Sequence, residues 1–239
     1  MSYTIMKFGG TSLKDEQSRF AAYKQIARGL QKGKVLVVVS AMGRYPMPYA
    51  TDTLLSLGHP LLSKEQQASL VSMGEQLSAL VVCAELLKKG ISVTTIPYHQ
   101  AGIIVDEEQQ PSSFQLDDRY IKQAFSQYDV VVVAGFIAYT KEAKITTLGR
   151  GGSDLSAVLF ADMLKEDEVS IYTDVNGVYQ QDPKQNQQAK KYDRLTYDEL
   201  LSMHAFVVQP NCVEYAKEHR IRILVKGTFS DEEGTIITT

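Results

Sequence analysis

The chain has 239 residues, a formal net charge of −3, and 44% hydrophobic and 22% charged residues. This is the make-up of a globular α/β chain with ample core, and it offers no electrostatic case for nucleic acid or an anionic membrane surface. Apolar runs such as Val130–Ala134 are too short to span a bilayer, and residues 1–12 lack signal-peptide organisation. Cys83 and Cys212 have neither disulfide nor metal-ligand spacing, so the expectation is a cytoplasmic protein with both thiols buried.

Taken in chain order, apolar β-rich runs alternate with helical patterns. Strands are expected at Tyr3–Phe8, Lys34–Ser40, Ser92–Pro97, Val130–Gly135, Val169–Thr173 and Arg222–Val225. In the first helical segment Phe20, Tyr23, Ala27 and Leu30 recur at helical spacing, after a capping box at Ser12-Leu13-Lys14-Asp15. In the second, Met73, Leu77, Leu80, Val81, Ala84 and Leu87 form a stripe ending at Gly90. Both stripes read as core. The continuous apolar runs Val35–Val39 and Val130–Val133 fit strands buried on both faces of a mostly parallel sheet with helices on both sides. Residues 41–63, with Pro46, Pro48 and Pro60, read as a long loop, 136–149 as a hairpin, and 180–195 as an exposed excursion.

Two junctions carry the chemistry. Lys7-Phe8-Gly9-Gly10-Thr11-Ser12 and Gly149-Arg150-Gly151-Gly152-Ser153-Asp154 each put one cation beside unhindered backbone amides at the start of a helical pattern. Such junctions hold anions. Lys7 ends the first strand, where ligands of open α/β sheets collect, and can neutralise phosphoryl oxygens; the bland reading is a strand-end lysine in solvent. Arg150 can clamp a carboxylate with two parallel hydrogen bonds, and Ser153 can cap the helix Asp154–Leu164. Thr173-Asp174-Val175-Asn176-Gly177-Val178-Tyr179 reads either as a simple turn or as the rim of a nucleotide site, with Tyr179 as a wall. Glu75 is either a solvated helix-face acid or a contact for a substrate ammonium. There is no P-loop, no Gly-x-Gly-x-x-Gly after the first strand and no Gly-x-Ser-x-Gly, and the four histidines have no zinc spacing, so no protein-built metal centre is expected.

Together the strings Lys7–Ser12, Val38-Val39-Ser40-Ala41-Met42-Gly43, Gly149–Asp154 and Thr173-Asp174-x-x-Gly177-Val178-Tyr179-x-x-Asp182-Pro183 resemble aspartate kinase, within the amino acid kinase family. The resemblance runs from Met6 to the end of the chain. It implies a three-layer αβα sandwich around a mostly parallel sheet, with an amino-acid lobe over about 1–165 and a nucleotide lobe over about 166–239. It further implies ATP-dependent phosphorylation of L-aspartate to 4-phospho-L-aspartate, with Mg2+. Lys7 and Asp154 would be catalytic. Ser40, Thr51, Glu75, Arg150, Gly151, Gly152 and Ser153 would hold aspartate. Lys7, Gly9, Gly10, Thr173, Asp174, Tyr179 and Lys184 would line the nucleotide site. The expected assembly is a homodimer, without the ACT regulatory domains and with room for a regulatory partner chain. Two departures stand out: Lys184 follows Asp182-Pro183 where the family has arginine, and Phe206 replaces a lysine that contacts ATP. The alternatives are a catalytically impaired relative that binds ligand or a partner subunit, and a kinase of another small amino acid.

Overall fold

A computed structural model describes residues 2–106, 113–186, 188–203 and 207–239. The chain runs β1 (Tyr3–Phe8), α1 (Gly10–Leu13), α2 (Glu16–Leu30), β2 (Lys34–Val39), α3 (Thr51–Ser56), α4 (Lys64–Lys88) and β3 (Val93–Thr95). Next come β4 (Ile103–Val105), β5 (Phe114–Leu116), α5 (Arg119–Phe125), β6 (Val130–Ala134), β7 (Ile137–Thr140) and β8 (Ile145–Thr147). The last part holds α6 (Gly152–Leu164), β9 (Glu168–Thr173), β10 (Arg194–Thr196), α7 (Tyr197–Ser202), α8 (Pro210–His219), β11 (Arg222–Gly227) and β12 (Thr235–Thr238).

Eight strands form one sheet in the order β10-β12-β11-β9-β1-β2-β6-β3, parallel throughout except for the β11–β12 pair. A smaller sheet, β5-β4-β7-β8, flanks it. Register explains the continuous apolar runs. Val35, Val37 and Val39 point into one core with Ile26, Val82 and Leu86, while Leu36 and Val38 point into the other with Leu159 and Phe160. Each of these valines and leucines is fully buried, worth ~1.5–3 kcal/mol relative to exposure. Helices α2 and α4 cover one face, and α5, α6 and α8 the other, which makes the three-layer sandwich.

Several local expectations need correction. Helix α2 is capped by Asp15, whose side chain accepts from the Ser18 amide at 2.7 Å, not by Ser12. Ser12 is instead fully buried and shares a hydrogen bond with Thr228. The proline-rich segment 41–63 contains α3. Both helical stripes lie only in part on the buried face, where Tyr23, Leu30, Leu77 and Val81 pack on the core. On α2 the buried face is Ala22, Tyr23, Ile26 and Gly29, leaving Phe20 exposed. On α4 the sheet takes Ala68, Val71, Ala79, Val82, Cys83 and Leu86, while Met73, Leu80 and Leu87 face outward. Helix α4 is apolar on two opposite sides, so periodicity alone could not choose between them. Its mean hydropathy of 1.5 would suit a membrane span by length and composition, yet half of that window is buried within the fold.

Candidate active site

The carboxyl ends of β1, β2, β9 and β11 line up, because Phe8 pairs with both Val39 and Tyr172, and Gly227 pairs with Thr173. Loops leaving these ends converge on one edge of the sheet. On the β2 side a cleft of about 760 Å³ is lined by Ser40, Thr51, Glu75, Arg150, Gly151, Gly152 and Ser153. All seven residues expected to hold the acceptor therefore meet in one cavity. Helix α4 brings in Glu75, α3 brings in Thr51 at its first residue, the end of β2 brings in Ser40, and the turn into α6 with its first residues brings in the rest.

Glu75 is only 2% exposed, and burial pushes its carboxyl up to about 7; the Ala41 backbone and the Thr51 hydroxyl oppose the rise. The Thr51 hydroxyl donates to Glu75 Oε1 at 3.2 Å, while Oε2 is buried with no hydrogen-bond partner among the described residues. A buried acid with an open lone pair lacks a hydrogen-bond donor. Ser40 and Ser153 share a hydrogen bond at 2.8 Å. Ser153 is therefore not the cap expected of it. The cap is Gly151, at φ 72°, where an added Cβ would lie 1.9 Å from Gln209 Cγ. Left-handed backbone and tight packing together demand glycine at this position.

Lys7 and Asp154 form an ion pair, 8% and 6% exposed respectively. The pair adjoins both the cleft and the Gly9 turn. Asp154 follows Ser153 of the cleft, and Lys7 Nζ lies 3.7 Å from where a Gly9 Cβ would be. The fully buried Cys212 feels the pair: burial pushes its thiol well up, with Asp154 adding to the rise and Lys7 opposing it. A buried pair is costly to desolvate and is disrupted at several kcal/mol when one partner is lost.

Gly9 and Gly10 follow the end of β1, and Thr173 and Asp174 lie at the end of the neighbouring β9. Gly10 admits no side chain, since a Cβ would stand 2.3 Å from the Gly43 carbonyl and 2.6 Å from that of Ala41. Lys184 folds back to pair with Asp174 at 2.6 Å. Burial works against ionisation of Asp174, but Lys184 and Thr173 outweigh it and hold the carboxyl below its usual range. Tyr179 is drawn into an antiparallel backbone bridge with Lys191 and does not line the acceptor cleft. Phe206 lies outside the described residues.

Sequence reasoning assigned no role to ten further wall residues of the cleft, among them Arg44, Asp52, Phe136 and Gln209. Phe136 sits at φ 69°, a left-handed conformation costing a non-glycine residue about 1–2 kcal/mol. It is held there by two hydrogen bonds, from its own amide to Ser156 Oγ at 2.9 Å and from the Leu148 amide to its carbonyl at 2.8 Å. Nothing in the sequence around Gly135-Phe136 announces that conformation. Arg44 had a signal, as a cation directly after the Ala41-Met42-Gly43 turn that packs on Gly10.

Comparison with known proteins identifies the family. Aspartokinase 1 of Bacillus subtilis (strain 168) is 36% identical over 247 residues, covering 100% of this chain and 61% of the relative. The chain thus spans about three-fifths of the length of that relative. A crystal structure of aspartate kinase from Synechocystis superposes with a TM-score of 0.85 at 35% identity, over 100% of this chain and 40% of that one. E. coli aspartokinase III, solved in complex with aspartate and ADP, shares the fold at a TM-score of 0.81 and 22% identity, over 100% of this chain and 65% of that one. Residues 2–227 match the amino acid kinase family, and the chain belongs to it.

Proposed function

We propose that the protein transfers the γ-phosphoryl group of ATP to the side-chain carboxylate of L-aspartate, forming 4-phospho-L-aspartate and opening lysine, threonine and methionine synthesis. The observation that carries this reading is the cleft itself. A buried acid with an unsatisfied oxygen and a guanidinium on the opposite loop match the ammonium and carboxylate of an α-amino acid. The names of the relatives point the same way.

In this reading Glu75, Thr51 and Ser40 receive the amino-acid end, and Arg150 clamps a carboxylate against the Gly151-Gly152-Ser153 amides. No general base is needed, because an aspartate side chain with a pKa of about 3.9 is already ionised at neutral pH. What the site must supply is alignment and relief of repulsion between anions. Lys7 supplies a cation at the transferring group, and Asp154 fixes its position. Gly9, Gly10, Thr173, Asp174, Tyr179 and Lys184 would form the nucleotide side, within a lobe covering about 166–239, with the acceptor lobe over about 1–165. Among the described residues no group of three or more His, Cys, Asp or Glu could cage a metal. The carboxylates Asp154 and Asp174 are already paired with lysines. The site therefore suits Mg2+ carried mainly by the triphosphate, where it would neutralise phosphoryl charge. Two free, buried cysteines suit a reducing compartment, and we place the enzyme in the cytoplasm.

The decisive test is ADP release with ATP and a panel of amino acids. Turnover with L-aspartate well above that with glutamate, asparagine and N-acetyl-aspartate is expected; N-acetylation removes the ammonium that Glu75 would meet. Equal rates with N-acetyl-aspartate would sink the assignment of Glu75, and no ADP release with any acceptor would sink the kinase. Arg150→Lys keeps the charge but loses the fork. It should raise the KM for aspartate by ~10-fold or more with little change in that for ATP. A selective loss of ATP affinity would place this loop on the wrong substrate.

A further inference from the structure

Helix α2 packs on β1 and β2, and beside it the same face of β9 and β11 opens into a second cavity, of about 620 Å³. Strand alternation decides what faces it. Val169, Ile171, Ile223 and Val225 go into the core with α6 and α8, so Ser170, Tyr172 and Lys226 point the other way. Register sets Tyr172 beside Lys226 on the neighbouring strand. Ser170 is 7% exposed and Tyr172 3%, yet neither hydroxyl has a hydrogen-bond partner among the described residues. Buried polar groups are hydrogen-bonded as a rule, so both hydroxyls are free to serve a ligand.

Cations gather at the same place. Lys226 has no ion pair among the described residues, and neither has Lys32, which reaches the cavity from just past the end of α2. Arg28 joins them from the last turn of α2, held at the rim by the exposed Asp231. Burial pushes the Lys226 ammonium below its usual range, and Lys32 and Arg28 push it further, against the pull of Glu168 and Glu233. The other acids of the cavity are engaged elsewhere. Glu166 accepts from the Tyr3 amide at 2.7 Å, and Asp167 and Glu168 pair with Arg222 at 3.2 and 3.7 Å.

We propose that this cavity binds a phosphoryl dianion, free or carried by a small metabolite, through Lys226, Lys32, Arg28 and the hydroxyls of Tyr172 and Ser170. Donors from two strands and one helix reach a ligand from several directions, which suits tetrahedral oxygens better than a planar carboxylate. The volume lies in the range of small-molecule sites, and Met6 and Leu224 add apolar wall for a body attached to the phosphate. No residue assigned to aspartate or to the nucleotide lines this cavity, so the inference does not depend on the kinase reading.

Calorimetric titration of the full chain with inorganic phosphate and with glycerol 3-phosphate tests it, the tighter of the two identifying the source of the dianion. The expected result is one ligand per chain, with a Kd weakened by ~10-fold or more in Lys226→Met, which loses a charge-assisted contact. Arg150→Met, altered in the other cleft, should bind as the wild type does. Tyr172→Phe keeps the ring stacked on Phe8 and removes the hydroxyl alone. It should also weaken binding, and it carries the test if Lys226→Met fails to fold. A wild-type chain that binds neither probe at ~10 mM would overturn the inference. So would binding indifferent to both Lys226→Met and Tyr172→Phe, or binding lost in Arg150→Met, which would put the anion in the acceptor cleft.

Discussion

Lys7→Ala is expected to lower turnover by at least ~100-fold, a loss of about 2.7 kcal/mol of transition-state stabilisation. The structure adds a second effect that the sequence did not foretell. Lys7 is held inside the protein against Asp154, so alanine also strands a buried carboxylate, at a cost of ~3–5 kcal/mol. Activity and stability should fall together. The double variant Lys7→Met with Asp154→Asn separates them: it removes both charges, should recover most of the lost stability in urea unfolding, and should remain inactive. If the double variant regained turnover, the pair would be a structural strut and Lys7 would leave the mechanism.

Glu75→Gln is expected to act in opposite directions on stability and on binding. In the folded free protein this carboxyl titrates at about 7, against 4.5 for an ordinary glutamate, because burial disfavours its charge. Between those two values the folded state holds more protons than the unfolded one, so stability falls as pH rises through that window. Above 7 the penalty is complete, on the order of 3 kcal/mol. Glutamine removes it, so the variant should be the more stable protein at pH 8, with the advantage shrinking toward pH 4. Aspartate binding should respond the other way. Losing a charge-assisted contact of ~1.5–3 kcal/mol raises the KM by ~10-fold or more. In the wild type, affinity for aspartate should decline as pH drops below 7 and Glu75 takes up a proton. Urea midpoints that shift equally at pH 5 and pH 8 would show that burial does not raise the carboxyl, and a KM untouched by the substitution would show that it does not face the ammonium.

The strands were largely legible because burial on both faces writes itself as uninterrupted valine. Val35–Val39 and Val130–Ala134 need no periodicity to be recognised, and the observed bounds differ from the expected ones by a residue or so. The three-residue strands β4 and β5 were not legible, since so short a run carries no pattern. Of the residues lining the cleft, Arg150, Gly151, Gly152 and Ser153 stand in a glycine-rich string, whereas Thr51 came only with the family resemblance, and the hydrogen-bond partners were not legible: Ser153 turned out to bond Ser40 rather than the helix end. Helix α4 misled for a physical reason. Periodicity finds an apolar stripe but not the neighbour that covers it, and this helix has two stripes, of which the sheet chose the one rich in alanine and valine. Small side chains let a helix lie close on a flat sheet, whereas the long Met73, Leu80 and Leu87 were left outside.

Strand β1 lies in the middle of the large sheet, with β2 on one side and β9 on the other. It is also synthesised well before β9. Its partner β2 follows almost at once, but β9 begins only at Glu168, so at 5–20 residues per second the β9-facing edge of β1 waits roughly 10–30 s to be covered. During that interval the nascent chain exposes an unpaired, apolar strand edge, a template for association with other chains. Ser12 must wait still longer for Thr228, its hydroxyl partner near the far end of the chain. Folding of the large sheet is therefore tied to synthesis of β9, and a message that stalls before β9 yields an edge for chaperones rather than half a protein.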